Sequence, residues 1–354
     1  MSEISGRTGR RPPTSTDVAR RAGVSQKTVS RVLNDEPHVS AAVRERVIAA
    51  ASALGYQRNL TAAALNRGRS RRIGVVMSVG SSLWGPSTLL LAVERAVRDA
   101  GYVFTIVSLM EGDEGGIPAA MTELLEQGVD GIVLSEPIAG DDDLTFVSAP
   151  ILSIGRAPGF VGPHLIMAGA DGPAGGRAAT QHLLSLGHRT VWHVAGPQNW
   201  FSAQDRLSGW RQALTNAGAE IPPVIEGDWS PASGYAAGRQ LAATPGVSAV
   251  FVANDDMACG LMRALADAGI DIPGQVSVVG FDDNPTAAYL SPPLTTVRQD
   301  FEAMAVSGLA RLIEEIEGRP LPDRPTRDSL PLQLTVRGSS APPPQERASP
   351  GADS

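Results

Sequence analysis

From Arg72 onwards the sequence alternates between two hydrophobic patterns of different period. Short apolar runs such as RIGVVM (72–77) and DGIVLS (130–135) match buried strands, whereas LLLAVERAVRDAG (89–101) matches an amphipathic helix that ends at glycine. Strands joined by helices form parallel sheets with right-handed crossovers. The cycle restarts after Pro150, so the pattern predicts an α/β fold of two doubly wound lobes with a cleft between them.

The domain boundaries follow from where this alternation begins and ends. Ligands of such sheets bind at the carboxyl ends of the strands, so we expect a small-molecule site in the cleft. The segments flanking the lobes are basic before them and rich in Pro, Ser and Gly after them. We predict a flexible arm at 1–13, a headpiece at 14–57, a hinge at 58–71, a two-lobed domain at 72–338 (N-lobe about 72–170 and 292–322, C-lobe about 171–291 and 323–338) and a disordered tail at 339–354.

A second pattern lies ahead of the lobes, in TDVARRAGVSQKTVSRVLN at 16–34. It predicts two short helices around a turn, because Gly23 supplies backbone freedom and Ser25 can cap the second helix. A polar face without acids suits the DNA major groove, where Arg and Lys pair with guanine and Gln and Asn with adenine. The pattern therefore favours a helix-turn-helix over a solvated helix of an ordinary domain. The residues of this acid-free face are Gln26, Lys27, Ser30, Arg31 and Asn34.

A third helix is predicted after the turn NDEPHVS, with Ser40 as its cap and Gly55 at its end. Its apolar stripe has helical spacing and completes a small headpiece with a thin core. The stripe consists of Val43, Val47, Ile48, Ala51 and Leu54.

The distribution of charge separates the headpiece from the lobes. Residues 1–72 carry fourteen Arg or Lys against five Asp or Glu, a net charge of +9, and the remainder carries a net charge of −16. A basic segment joined to an acidic body indicates that the basic segment alone binds a polyanion.

The linker QRNLTAAALNRGRSRR (57–72) allows two interpretations. It can be a solvated linker, since short isolated helices are marginally stable. Alternatively it becomes helical only on DNA and places Leu65 as an apolar wedge in the minor groove.

Several other functional classes find no support in the sequence. Cys259 is the only cysteine, and the segment MSEISGRTGRRPP has no apolar core typical of a signal peptide or membrane anchor, so we expect a cytoplasmic, nucleoid-associated protein. His182, His188 and His193 lack metal-ligand spacing, and GADGPAGGR lacks the context of a nucleotide fingerprint. We therefore expect no metal, no cofactor, no membrane and no catalytic residue.

Many separated motifs resemble the LacI/GalR family of bacterial transcription regulators. The resemblance covers residues 16 to about 337 and implies a DNA-binding headpiece, a hinge helix and two periplasmic-binding-protein-like lobes. It further implies a homodimer on a palindromic operator, with a sugar or nucleobase effector between the lobes. The motifs are TDVARRAGVSQKTVSRVLN with HVS, the linker spacing of Asn59, Ala62 and Leu65, and LGHRTVWHVAGP, DRLSGW, EGDWS, FVANDDMA, VSVVGFDD and SPPLTTVRQDF.

The resemblance assigns a role to individual residues of this chain. It implies that Gln26, Lys27 and Arg31 read bases, that Leu65 wedges the central step, and that Ser25, Thr28, Ser30, Asn34 and His38 lie near phosphates or bases, with Asn59 in the hinge. It implies effector contacts from Ser78, Arg206, Trp229, Asn254, Asp282 and Gln299, with Phe301 as apolar lining. These residue types suit sugar hydroxyls and a flat pyranose face. The resemblance, together with Trp229 in EGDWS, implies that a β-galactoside or β-glucoside relieves repression of a sugar-utilisation operon.

Some positions depart from the family pattern. Arg58 replaces the usual hinge proline, Ala63 a longer polar side chain, Gly155 a strand-end aspartate and Ser135 an asparagine, so we predict altered hinge contacts and a roomier cleft. No leucine heptad follows Gly318, which favours a dimer over a tetramer.

Structural roles compete with the binding roles. Trp229 can be a half-buried aromatic, Asp282 can cap a turn, Asn254 can cap a helix and Arg206 can pair with Asp205. Two other functions also remain open: a sugar-binding protein of a transport system, which would have no use for the basic headpiece, and a glycoside-processing enzyme, which needs paired carboxylates across a pocket.

Overall fold

The computed structural model describes residue 11 and the ranges 13–33, 37–56, 69–78, 84–109, 116–135, 149–156, 164–319 and 327–344. The chain divides into two compact units between Ser70 and Arg71, at the end of the predicted hinge.

The described residues of the first unit form three helices, α1 (Ser15–Ala22), α2 (Gln26–Leu33) and α3 (Ala41–Leu54). Thr14 and Asp17 form a reciprocal capping box at the start of α1, and Gly23 ends that helix at φ +65°. The Ser25 hydroxyl accepts a hydrogen bond from the Thr28 amide at 3.1 Å, which confirms Ser25 as the cap of α2.

The third helix differs in two details from its sequence pattern. Ser40 occupies the N-cap position, but its side chain makes no capping hydrogen bond, and Gly55 closes the helix at φ +63° as predicted. Ile48 of the predicted stripe is 54% exposed, whereas Val47 and Ala50 are buried against Val18. The core of this unit is therefore small.

The described residues of the second unit form two six-stranded sheets, with α-helices in most of the connections between successive strands. None of the helices within the described ranges is long and apolar enough to cross a bilayer. The strands are β1 (Arg72–Ser78), β2 (Val103–Leu109), β3 (Gly131–Ser135), β4 (Ile151–Ile154), β5 (Leu165–Ala170), β6 (Trp192–Ala195), β7 (Ile225–Glu226), β8 (Ala249–Val252), β9 (Ser277–Asp282), β10 (Thr295–Arg298), β11 (Arg327–Leu330) and β12 (Gln333–Thr335). The helices are α4 (Trp84–Asp99), α5 (Gly116–Glu126), α6 (Gly172–Ser185), α7 (Phe201–Ala217), α8 (Pro231–Ala242), α9 (Asp255–Asp267) and α10 (Phe301–Ile316).

The two sheets confirm the predicted doubly wound architecture. The N-lobe sheet has the order β11-β5-β4-β3-β1-β2, and the C-lobe sheet has the order β12-β10-β9-β8-β6-β7. All neighbouring strands are parallel except β10 and β12, which pair antiparallel. The carboxyl ends of β4 and β9, where Gly155 and Asp282 lie, contribute to the cleft between the lobes.

The lobe boundaries differ from the predicted ones at two crossings. β10 pairs with β9 and so belongs to the C-lobe, although 292–322 was assigned to the N-lobe. β11 pairs with β5 and so belongs to the N-lobe, although 323–338 was assigned to the C-lobe. The placements of β10 and β11 were wrong because hydrophobic periodicity identifies a strand but not the sheet in which its hydrogen bonds are made. The rest of both ranges lies where it was predicted, since α10 packs in the N-lobe core and β12 joins the C-lobe sheet.

The start of the predicted disordered tail is also ordered. The Ser339 hydroxyl donates to the Val278 carbonyl at 2.6 Å and accepts from the Thr295 amide at 2.8 Å, and Ser339 is fully buried. Placing a disordered tail at 339 was therefore wrong, because side-chain hydroxyls can satisfy backbone groups at a sheet end even in a segment of low hydrophobicity. Residues 345–354 lie outside the described residues.

Close backbone packing of α6 on α7 positions the cleft. A Cβ on Gly209 would lie 2.1 Å from the Pro173 carbonyl oxygen, and one on Gly176 would lie 2.4 Å from the Arg206 carbonyl oxygen. Only glycine permits this approach, which holds the Arg206 backbone against α6.

Candidate functional site

The outer face of α2 presents the predicted DNA contacts. Lys27 is exposed, as are Gln26, Ser30, Arg31 and Ser25, and Thr28 is half-buried. The Gln26 side-chain amide donates to the Ser15 hydroxyl at 2.9 Å, and the hydroxyls of Ser25 and Thr28 lie 2.8 Å apart. His38 is exposed at φ +73°. Asn34, Asn59 and Leu65 lie outside the described residues.

Arg206 is the centre of the cleft. It projects from α7, is only 5% exposed, and its guanidinium carbon lies 4.0 Å from the centroid of the Phe281 ring. One guanidinium nitrogen donates to the Ala253 carbonyl, and the other lies 3.3 Å from Asp282 Oδ1. The alternative interpretation of Arg206 was a local ion pair with Asp205. Arg206 pairs with Asp282 instead, because its side chain reaches inward from the helix.

Asp282 ends β9 and receives a second donor from the other side. The Gln299 amide donates to Asp282 Oδ1 at 2.6 Å. Burial raises the pKa of Asp282 to about 6, although Arg206 and Gln299 both oppose that rise. The carboxylate is therefore held by two directional donors in a site with little water around it.

Asn254 and Trp229 form the next part of the wall. Asn254 Oδ1 accepts from the Met257 amide at 2.9 Å, so the predicted helix-capping role is confirmed, and its amide nitrogen donates to the Trp229 carbonyl at 3.0 Å. Trp229 has φ +72° and is 5% exposed. It is therefore more deeply buried than the half-buried structural aromatic that was its alternative interpretation. Its ring occupies the space above Gly196, where a Cβ would come within 2.3 Å of it.

The indole nitrogen of Trp229 is buried without a hydrogen-bond partner among the residues that the structure describes. A buried donor normally finds a partner, since leaving one unpaired costs about 1–3 kcal/mol. Trp200 lies edge-on to this ring with centroids 6.0 Å apart, and Arg206 lies 5.3 Å from its centroid. This corner combines aromatic faces with an available donor.

Two adjoining cavities lie between the lobes and share Ser202 and Arg206. The smaller has a volume of about 300 Å³ and is lined by Gly85, Pro86, Trp200, Ser202, Arg206, Trp229, Asn254 and Asp282. The larger has a volume of about 590 Å³, part of it open to solvent, and is lined by Leu89, Ile154, Gly155, Arg156, Gly169, Ala170, Gly172, Phe201, Ser202, Asp205, Arg206, Phe281, Gln299 and Met304.

Comparison with known proteins shows the same organisation. The model for bacterial regulatory proteins of the lacI family matches residues 14–59, and that for the periplasmic binding protein-like domain matches residues 180–340. The lactose operon repressor of Escherichia coli (strain K12) is 34% identical over 350 residues, covering 97% of this chain and 94% of that protein. The transcriptional regulator CelR of Thermobifida fusca is 35% identical over 345 residues, covering 93% of this chain and 99% of that protein.

The chain belongs to the LacI family of bacterial regulatory proteins.

Solved structures of family members agree with this assignment. A lac repressor dimer bound to operator and the anti-inducer ONPF matches with a TM-score of 0.80 at 31% identity, covering 94% of this chain and all of that one. A CelR–cellobiose complex matches with a TM-score of 0.65 at 32% identity, covering 93% and 100% of the two chains. As a LacI-family member the protein is a DNA-binding regulator of transcription, with the headpiece and the periplasmic-binding-protein-like fold found above.

The structure brings most of the predicted effector residues together. Arg206, Trp229, Asn254, Asp282 and Gln299 all line the two cavities. Phe301 lines neither of them and packs in the N-lobe core, edge-on to Trp84 at 5.5 Å. Only the backbone of Ser78 is described, as the last residue of β1.

An ion pair in the wall of the larger cavity was not predicted from the sequence. Arg156 Nη1 lies 3.0 Å from Asp205 Oδ1, and the Arg156 guanidinium lies 5.1 Å from the Phe201 ring centroid. Because Arg156 follows β4 and Asp205 lies on α7, this ion pair joins the two lobes. Helical spacing offered one signal, since Phe201 and Asp205 lie four residues apart on α7 and so share a face of that helix.

The raised pKa of Asp282 predicts a pH-dependent stability. Because the folded protein holds this proton up to about pH 6 and the unfolded chain releases it near pH 4, stability falls as pH rises through that window. We expect the free energy of unfolding to lose up to about 3 kcal/mol from this group, about 1.4 kcal/mol per pKa unit. Urea unfolding between pH 4 and 7 should show this loss in the wild type and a flatter profile in Asp282→Asn. Equal slopes in the two proteins would contradict it.

Proposed function

We propose that this protein is a sequence-specific repressor that binds a palindromic operator as a homodimer and releases it when a sugar binds between the lobes. The effector in this proposal is a β-galactoside or β-glucoside. The observation that carries the proposal is the pairing of the buried Arg206 and Asp282 with the half-buried Gln299, in a cleft on the same chain as an exposed, acid-free α2.

The chemistry of the cleft supports a sugar. Asp282 and Asn254 supply acceptors, Arg206 and Gln299 supply donors, and their geometry is directional enough to select hydroxyl groups. Trp229 adds an aromatic face for the apolar side of a pyranose and an indole donor that needs a partner. Two cavities joined at Arg206 suit a glycoside of two linked units. Among the relatives are a lactose operon repressor and a CelR solved with cellobiose.

The proposed mechanism couples effector binding to the hinge. Two α2 helices read the half-sites of the operator, and the Asn59 and Leu65 segments contact its central minor groove. Sugar binding rotates or closes the lobes and pulls the hinges out of register. A ligand shifts such an equilibrium only through its differential affinity, and a change from 1:99 to 99:1 needs about 5.5 kcal/mol.

We further propose that the protein is a cytoplasmic sensor and not a glycoside-processing enzyme. Asp255 is an acid on which the charge of Asp282 acts, and its two oxygens accept from the Thr296 hydroxyl at 2.6 Å and the Asn284 amide at 2.8 Å. Asp255 is buried, which raises its pKa, and both its oxygens are used within the C-lobe. A glycosidase needs two carboxyl groups that face each other across the substrate.

The headpiece is tested by base preference. We expect Lys27→Ala and Arg31→Ala each to relax the preference for the base they contact, costing about 1–3 kcal/mol at that position. Competition binding on an inverted-repeat operator, single-base variants of it and random DNA measures this effect. Arg46→Ala, which removes an exposed charge from α3 of the same unit, is the matched control and should leave the preference unchanged. A uniform loss on all DNA sequences would assign Lys27 and Arg31 to phosphates instead.

The cleft is tested by induction. We expect Arg206→Ala to retain operator binding but to lose release by lactose or cellobiose, because it removes the donor that holds Asp282 and faces both cavities. Gel shifts with and without sugar measure both properties in one experiment. Arg211→Ala, an exposed position on the same helix, should behave as wild type. Normal release of Arg206→Ala would remove this residue from the effector site.

A further inference from the structure

The segment that follows β12 reaches back to the end of β9. Arg337 Nη2 lies 2.6 Å from Asp283 Oδ1, and its Nη1 donates to the Leu294 carbonyl at 2.8 Å. The Arg337 amide also donates to the Thr295 hydroxyl at 2.9 Å. The Arg337 and Asp283 side chains are 20% and 13% exposed, so this ion pair is largely shielded from water. One guanidinium therefore links the turn after β9 to the residue before β10.

The turn that Arg337 holds has an unfavourable backbone. Asp282 has φ +108° and Asp283 has φ +55°, two consecutive residues with side chains in a region that favours glycine. Such conformations persist only where surrounding contacts fix them. Asp283 is fixed at its carboxylate by Arg337 and at its amide by the Thr296 hydroxyl at 3.4 Å.

The same two segments carry the cleft carboxylate and one of its two donors. β9 ends at Asp282, and β10 runs directly into Gln299, whose amide donates to Asp282 at 2.6 Å. In the β9–β10 pair, Asp282 lies opposite Arg298. A contact that fixes the turn after β9 relative to the start of β10 therefore fixes the Asp282–Gln299 geometry.

We propose that Arg337 is a positioning residue for effector binding: its bridge from Asp283 to Leu294 holds the left-handed turn that points the Asp282 carboxylate at Arg206 and Gln299. This role rests on the proposed function, in which Asp282 contacts the sugar. Arg337 itself lines neither cavity, so it acts on the effector only through the turn.

The test is a double-mutant cycle on the full-length protein. Isothermal titration with lactose and with cellobiose is carried out on the wild type, Arg337→Met, Asp282→Asn and the double variant. We expect Arg337→Met to weaken the affinity about tenfold in the wild-type background and to have no further effect in Asp282→Asn. Arg337→Lys should recover part of the affinity, because an ammonium keeps the charge but does not bridge both acceptors in the same geometry.

Two further variants separate positioning from general stability. Arg263→Met breaks the exposed Arg263–Asp267 pair at 2.9 Å in the same lobe and should bind sugar as the wild type does. Asp283→Asn removes the partner charge at constant size and should reproduce the loss of Arg337→Met, and it serves as the test if the Met variant does not fold.

The outcomes distinguish this proposal from the proposed function. An equal fold loss from Arg337→Met in both backgrounds, or no loss at all, would overturn the positioning role and leave the sugar site intact. Wild-type affinity in Asp282→Asn, or a wild type that binds neither sugar, would contradict the proposed effector site itself, and the role of Arg337 would fall with it.

Discussion

The buried pair of Arg206 and Asp282 is the interaction on which the cleft depends. Removing two charges from water is costly, and the attraction between them compensates only when their remaining hydrogen-bonding groups are satisfied. Here the Ala253 carbonyl, the Gln299 amide and the Phe281 ring supply those contacts. Breaking one partner would leave a buried charge alone, so the site is held in one geometry by the cost of every other arrangement.

In the proposed function, this arrangement makes the cleft responsive to a ligand. Burial raises the pKa of Asp282 and so disfavours its charged form, which Arg206 and Gln299 stabilise. A sugar hydroxyl that donates to this carboxylate adds support where the protein supplies least, and the buried Trp229 indole offers a donor in return. The Arg156–Asp205 ion pair joins the two lobes and lines the larger cavity. A ligand bound in that cavity would therefore lie against a contact that holds the lobes together.

Local rules predicted a large part of this structure. Caps and turn glycines act over a few residues, so Ser25, Gly23 and Gly55 were predicted correctly. The strand and helix periods predicted both sheets, and the family resemblance predicted residues that do converge on the cleft, such as Arg206 and Asp282. Whether these side chains bind DNA or sugar stays a prediction.

Contacts between distant segments were not predictable in this way. The exchange of β10 and β11 between the lobes depends on hydrogen-bond partners that periodicity does not specify. The ion pairs Arg156–Asp205 and Arg337–Asp283 join residues that are far apart in the chain. A single sequence does not specify which distant charged side chains form an ion pair. Phe301, which the resemblance placed in the lining of the effector site, packs instead in the N-lobe core at the start of α10.

The most direct test of the account is the operator affinity of the purified wild-type protein, measured at moderate salt with and without lactose and cellobiose. We expect the protein to prefer one inverted-repeat duplex over random fragments, and to lose that preference when one of these sugars is added. An absence of preference for any inverted repeat, with or without sugar, would contradict it.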